Sequence, residues 1–169
     1  MKNKKGRTSR LSWDELFMKM AISASERTAC KYHQAGAVFV DQNHRVISMG
    51  YNGPTTGDYH CIEVGCAKID GDPKTGKLKR CRGAHAEMNA IVNCLNPQVL
   101  KNSTLYTTLF PCYDCMKILN NAGIAEIVYK DEYLRYLTGG EAKETEDEAW
   151  ELAKKRKIKI RRFDQKTKK

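Results

Sequence analysis

His85-Ala86-Glu87 and, further along, Pro111-Cys112-Tyr113-Asp114-Cys115 combine residue types that can hold a metal and move a proton. Cysteine thiolates and a neutral histidine suit zinc. Three protein ligands, His85, Cys112 and Cys115, would leave the fourth tetrahedral position for water, the arrangement of a catalytic rather than a structural site. Pro111 suits the first turn of a helix, so that Cys112 and Cys115, three apart, share one face there. The positive end of that helix and the metal both favour thiolates, and zinc brings the pKa of its water from about 15.7 to roughly 7. Glu87 is a carboxylate that the metal does not need as a ligand, which makes it the natural proton carrier. Each half alone reads otherwise: Cys-x-x-Cys also suits a redox pair or half of a structural zinc knot, and His-x-Glu alone says little. Together they predict hydrolytic chemistry at zinc.

The elements that must position these groups are legible in outline. Ser12 with Glu15 makes a capping box, and Trp13, Leu16, Phe17, Met20 and Ala24 recur at helical spacing, predicting a first helix over 13–28 whose apolar stripe faces a sheet. Residues 35–40 and 45–50 are β-like around Asp41-Gln-Asn-His44, a hairpin in which Asn43 is suited to the left-handed position. After Tyr51-Asn52-Gly53-Pro54 the chain runs to Arg82 without clear periodicity. Helices are predicted over 85–95, 112–122 (capped by Gly123) and 145–155, the last after Gly139-Gly140 with Ala149, Leu152 and Ala153 on one side. Strands are predicted over 103–108, 124–129 and 157–163. Alternating strands and helices predict an α/β fold, a mostly parallel or mixed sheet with helices on both faces.

At 169 residues the chain suits one domain. The domain is expected over 11–163, with an insert at about 51–82 and basic tails at 1–10 and 164–169. The amino terminus is lysine-rich without an apolar stretch, and no apolar run reaches about 18 residues, so neither a signal peptide nor a membrane span is expected and the reading is cytoplasmic. The net charge of +10 is concentrated at the ends: residues 1–10 and 154–169 together carry 15 basic groups against Asp164, leaving the body about −4. Solvated basic ends are the commoner explanation of such a pattern, and nucleic-acid binding is not expected.

Seven cysteines in a reducing compartment point to metal or free thiols. Cys30, Cys61, Cys66 and Cys81 bracket the irregular insert, and a closed four-thiolate zinc would supply the folding free energy such a loop lacks. The alternatives are ordinary buried cysteines, or His60 in place of one of them as ligand. Cys94 fits neither set and is expected to pack in the helix that starts near His85.

The His-x-Glu and Pro-Cys-x-x-Cys pair resembles the signature of the zinc-dependent base deaminases. Further matches are Gln34-Ala-Gly-Ala-Val38, Gly50-Tyr-Asn-Gly53, His60-Cys61, His85-Ala-Glu-Met-Asn-Ala-Ile91, Leu109-Phe-Pro-Cys-Tyr-Asp-Cys115 and Ala122-Gly-Ile124. With these, the chain resembles the cytidine/deoxycytidylate deaminase superfamily, and within it the deoxycytidylate (dCMP) deaminases, from Trp13 to about Phe163. The resemblance implies a three-layer α/β/α fold around a five-stranded mixed sheet, and hydrolysis of dCMP to dUMP and ammonia, feeding dTMP synthesis. It implies that Asn52 hydrogen-bonds substrate near the sugar and that Tyr133 contacts the nucleotide, although Asn before Gly is otherwise a turn former and such a Tyr is otherwise packing. Members with a second zinc carry cysteines at positions resembling Cys30 and Cys61. Related enzymes are activated by dCTP, inhibited by dTTP and assemble as hexamers, so these effectors and a homo-oligomer are implied too. One departure is that Pro54 follows Gly53 directly, where family loops often place a residue between them; that loop serves nucleotide regulation in some members.

The mechanism expected is that Glu87 takes a proton from the zinc-bound water, protonates N3 of cytosine and helps deliver a proton to the departing amine as C4 is attacked. The alternatives are a tRNA adenosine deaminase, a free cytidine deaminase, and a non-enzymatic zinc module that binds nucleotides or RNA. The long cysteine-bearing insert, Leu109-Phe110 and Asp114 favour the mononucleotide enzyme.

Overall fold

The computed structural model describes residues 9–136, 143–144 and 146–164. Most of both expected basic tails, Gly139-Gly140 and the expected helix start at Thr145 lie outside the described residues. In chain order the elements are α1 (Trp13–Ser25), β1 (Gly36–Val40), β2 (Val46–Tyr51), β3 (Gly53–Pro54), α2 (Cys61–Val64), β4 (Gly83–Ala84) and α3 (Ala86–Val92). After a 3₁₀ turn at Pro97–Leu100 come β5 (Thr104–Leu109), α4 (Tyr113–Ala122), β6 (Glu126–Asp131), β7 (Arg135–Tyr136), β8 (Lys143–Glu144), α5 (Asp147–Lys155) and β9 (Lys159–Arg162).

Five strands form one sheet in the order β2-β1-β5-β6-β9. The β2-β1-β5 part is antiparallel and the β5-β6-β9 part parallel, the latter connected through α4 and α5. The expected mixed α/β/α sandwich is therefore present. Every residue of β1 is buried, because both of its faces are covered. Val38 and Val40 meet Phe17, Met18 and Ala21 of α1 on one side, together with Tyr106 and Val128. Ala37 and Phe39 face the other side, where Ala86 and Ala90 of α3, Met116 and Leu119 of α4, and Ala149 and Ala153 of α5 complete a larger core.

Two glycines set how closely helices approach this sheet. A Cβ on Gly36 would lie 1.9 Å from the carbonyl oxygen of Ala21 in α1, and one on Gly50 would lie 2.3 Å from the amide nitrogen of Ala90 in α3. Only hydrogen at those positions lets α1 lie on β1 and α3 lie on β2.

Several local expectations change. The capping box forms, with Glu15 N–H donating to the Ser12 hydroxyl and Ser12 N–H to the Glu15 carboxylate, but α1 ends at Ser25. Its buried face is Phe17, Met18, Ala21, Ala24 and Ser25, while Trp13 is 47% exposed and Leu16 37%. Trp13 instead stacks on His44, with ring centroids 4.5 Å apart. His44, at φ 62°, and not Asn43, takes the left-handed position of the hairpin; Asp41 holds that turn by accepting from the N–H groups of Asn43 and Arg45. The helix after His85 stops at Val92, so Cys94 lies beyond it, buried, with its thiol on the Asn96 carbonyl.

Candidate active site

Local folding explains why the signature residues converge. His85 is the N-cap of α3 and Cys112 the N-cap of α4, with Pro111 one residue ahead of the cap, not inside the first turn. Cys112 follows the carboxyl end of β5, where parallel αβ sheets place their clefts. Cys115, on the first turn of α4, is fully buried.

His85 Nδ1 lies 3.2 Å from Cys112 Sγ and 3.3 Å from Cys115 Sγ. Among the described residues, this trio is the one set of three or more candidate ligands whose donor atoms all lie within 4.8 Å of one another. An imidazole nitrogen and two thiols at that spacing fit a tetrahedral zinc with one position left over. The electrostatics agree. A hydrogen bond from Cys115 and the neighbouring His85 pull the Cys112 thiol down to about 4, against the cost of burial. The Cys115 thiol moves in the opposite direction, because it donates to Cys112 and is itself buried. The neighbouring Cys112 sulfur in turn lifts His85 to about 9. A metal bound there would displace these protons, since zinc takes thiolates and a neutral imidazole.

Glu87, on the first turn of α3, is 6% exposed. One carboxylate oxygen lies 3.5 Å from Cys115 Sγ. Burial pushes its carboxyl group above the usual range, opposed by the charge of His85. A carboxyl group shifted upward by burial beside a candidate metal site suits an acid and base in turn.

A cleft partly open to solvent is lined by His85, Glu87 and Cys112 together with Leu109, Phe110, Asn52 and Tyr133. Both residues expected to touch substrate therefore share the cleft with His85 and Cys112 of the trio. Tyr133, two residues beyond β6, is half-buried and packs edge-on against His33, centroids 5.1 Å apart. Asn52 links β2 to β3; its Oδ1 accepts from Ala35 N–H at 2.8 Å, and its Nδ2 donates to the His33 carbonyl at 2.9 Å.

Cys30, Cys61, Cys66 and Cys81 all line a wall of the same cleft. No three of these sulfurs are drawn to the mutual spacing of the first trio. Burial pushes the Cys61 and Cys81 thiols up, and both sense Cys30 and Cys66 as neighbouring charges. His60 points its ring nitrogen to Glu63 at 3.5 Å.

Two contributors escaped the sequence reading. Glu146, buried at the foot of α5, accepts from Tyr113 N–H at 2.8 Å and so caps the helix that carries Cys115. His33 lines the cleft against Tyr133. Neither belongs to a local pattern, since the partner of Glu146 is 33 residues away.

Comparison with known proteins agrees with this geometry. The family model described as "Cytidine and deoxycytidylate deaminase zinc-binding region" matches residues 11–131, which include all four signature residues. A deoxycytidylate deaminase of Mycobacterium phage D29 is 36% identical over 129 residues, covering 73% of this chain and 98% of that one. That of Schizosaccharomyces pombe is 39% identical over 125 residues, 73% of this chain. The chain spans less than half the length of the two yeast relatives, 38% and 46%. The solved dCMP deaminase of cyanophage S-TIM5, in complex with dCMP and dUMP, superposes with a TM-score of 0.67 at 23% identity, over 92% of this chain and 99% of that one, which establishes the shared fold. With His85, Cys112 and Cys115 clustered beside Glu87 and the family model covering all four, the chain belongs to the cytidine and deoxycytidylate deaminase zinc-binding family.

Proposed function

We propose that this chain hydrolyses dCMP to dUMP and ammonia, a step that feeds dTMP synthesis. The observation that carries the reading is the Glu87 carboxyl group, buried beside the His85–Cys112–Cys115 trio and lining the same cleft as His85 and Cys112. Support for the substrate comes from the D29 relative, which is named a deoxycytidylate deaminase and matches over nearly its whole length.

His85, Cys112 and Cys115 would hold zinc, which when bound makes water a competent nucleophile at neutral pH. Glu87 accepts a proton from the attacking water and passes it to N3 of the cytosine ring as the oxygen bonds to C4. The remaining proton of that oxygen then travels through Glu87 to the exocyclic amine; the C4–N bond breaks, ammonia leaves and a C4 carbonyl remains. Because both protons leave the attacking oxygen and end on substrate nitrogens, N3 and then the departing amine, one carboxyl serves as base and acid in turn. Leu109 and Phe110 supply apolar walls for the base. We assign Asn52 and Tyr133 to nucleotide contact at the half-exposed part of the cleft.

Cys30, Cys61, Cys66 and Cys81 would hold a second, structural zinc. Three of the four sulfurs already accept hydrogen bonds: Cys30 from His33 N–H at 3.5 Å, Cys81 from Gly83 N–H at 3.3 Å, and Cys61 from Arg82 at 3.8 Å. Donors of this kind favour thiolates and orient metal ligands. Metal analysis should return two zinc ions per chain, with the four thiols protected from alkylation until a chelator is added. One zinc per chain, with those thiols freely alkylated in the folded protein, would overturn the second site.

Regulation by dCTP and dTTP and assembly as a homo-oligomer, a hexamer in related enzymes, carry over from the resemblance. All seven cysteines carry free thiols. Among the described residues no helix is long and apolar enough to cross a membrane. The test of the reading is ammonia release from dCMP, dCTP, cytidine and a tRNA anticodon stem, each with and without dCTP or dTTP as effector. Preference for dCMP is expected; turnover of the tRNA stem alone would contradict it.

A further inference from the structure

Thr28 belongs to no signature, yet its hydroxyl stands at the junction of the two cysteine-bearing regions and Asn52. It accepts from Cys30 N–H at 3.2 Å and has one proton to share between two Asn52 acceptors, the backbone carbonyl, which is the nearer, and Oδ1 at 2.8 Å. The Asn52 side chain is then accounted for almost completely. Its oxygen faces two donors, Thr28 and Ala35 N–H, and its nitrogen faces an acceptor, the His33 carbonyl. A backbone N–H can only donate and a backbone carbonyl can only accept, so the amide cannot be turned over without breaking both contacts. One N–H of Asn52 is left uncommitted, on a side chain that lines the cleft.

We propose that Thr28 is a positioning residue that holds the Asn52 backbone and side chain in place, so that the amide, whose polarity Ala35 N–H and the His33 carbonyl set, offers the ligand a donor there and the site selects an acceptor oxygen on the sugar–phosphate part of the nucleotide. This inference rests on the mononucleotide reading above. Without the hydroxyl, Asn52 Oδ1 keeps only Ala35, Cys30 N–H loses its acceptor, and the segment from Thr28 to Ala35 loosens beside the cleft. The consequence falls on binding before chemistry, because Glu87 and the ligand trio do not touch Thr28.

The test compares Thr28→Val, which keeps the shape, with Thr28→Ser, which keeps the hydroxyl. For T28V, KM for dCMP is expected to rise about tenfold with kcat changed by less than about threefold, the pattern of lost ground-state binding. T28S should restore most of the loss, and zinc content should equal that of the wild type. In selectively labelled wild-type protein, dUMP should shift an Asn52 side-chain N–H resonance, a readout that does not depend on any variant folding. An unchanged KM in T28V, a T28S as poor as T28V, or an Asn52 amide indifferent to dUMP would overturn the inference alone. A wild type that neither deaminates dCMP nor binds dUMP would overturn the functional reading, and this inference with it.

Discussion

Glu87 and Asn52 show how differently two polar side chains can be committed in one cleft. Glu87 faces sulfur and is pushed toward its neutral form by burial, whereas Asn52 has nearly all its hydrogen-bonding capacity taken by the chain's own backbone. Asn52→Ala should therefore do two things: weaken dCMP turnover, and lower stability by about 1–2 kcal/mol, since Ala35 N–H and the His33 carbonyl lose their partner. Metal analysis should show zinc retained; unchanged kinetics would remove Asn52 from the site. The ligand trio and Glu87 were legible in the sequence because few side chains can bind zinc or carry a proton, so their types and spacing are restrictive. Thr28 and Glu146 were not, because a hydroxyl or a carboxylate acquires its role only from which backbone group lies opposite, and that is set by the fold.

At the scale of elements, the site is a meeting of α3 and α4, each entered through a ligand at its cap. Gly50 lets α3 lie against β2, and Asn89 and Asn93 of that helical turn donate to the carbonyls of Tyr51 and Met49, holding α3 in register on the edge strand. On the other side Glu146 ties α5 to the first amide of α4. Glu146→Ala should leave that part-buried amide without its side-chain cap and cost about 1 kcal/mol in denaturant unfolding, with weaker zinc retention because Cys112 and Cys115 lie on the loosened turn. A variant as stable as the wild type would show that the cap is dispensable. Most elements were legible from periodicity, caps and turn residues: Gly123 does cap α4 in the left-handed conformation, at φ 73°. The face of α1 was not. Its apolar residues spread around most of the helix, and Trp13 found its partner in His44, on a hairpin the periodicity of α1 cannot report. The short α2, inside the insert, also gave no signal at four residues.

Across the whole molecule, the first helix and the last strand are locked together. Asp14 of α1 accepts two hydrogen bonds from Arg161 of β9, at 2.6 and 2.7 Å, and one from the Tyr106 hydroxyl of β5 at 2.7 Å. Arg161 also meets Glu126 of β6 at 2.7 Å, so part of the positive carboxyl-terminal segment is neutralised within the fold. The Arg161 guanidinium, helped by Tyr106, holds the Asp14 carboxyl below its usual range against the cost of burial. A carboxyl depressed in the folded state adds stability above its unfolded pKa of about 3.9 and loses that contribution as pH falls through the folded value. The stability gap between wild type and Asp14→Asn should thus be steady from about pH 5 to 7 and shrink below about pH 4; thermal unfolding across that range checks it, and a gap that persists undiminished at pH 3 would contradict the assignment. The central claim, that this fold hydrolyses dCMP through Glu87, is tested most directly by incubating zinc-loaded wild type and Glu87→Gln with dCMP and measuring ammonia against dUMP. Equimolar ammonia and dUMP are expected from the wild type and a loss of at least about 100-fold in the variant at equal zinc content; normal turnover by Glu87→Gln, or no dUMP from the wild type, would contradict the claim.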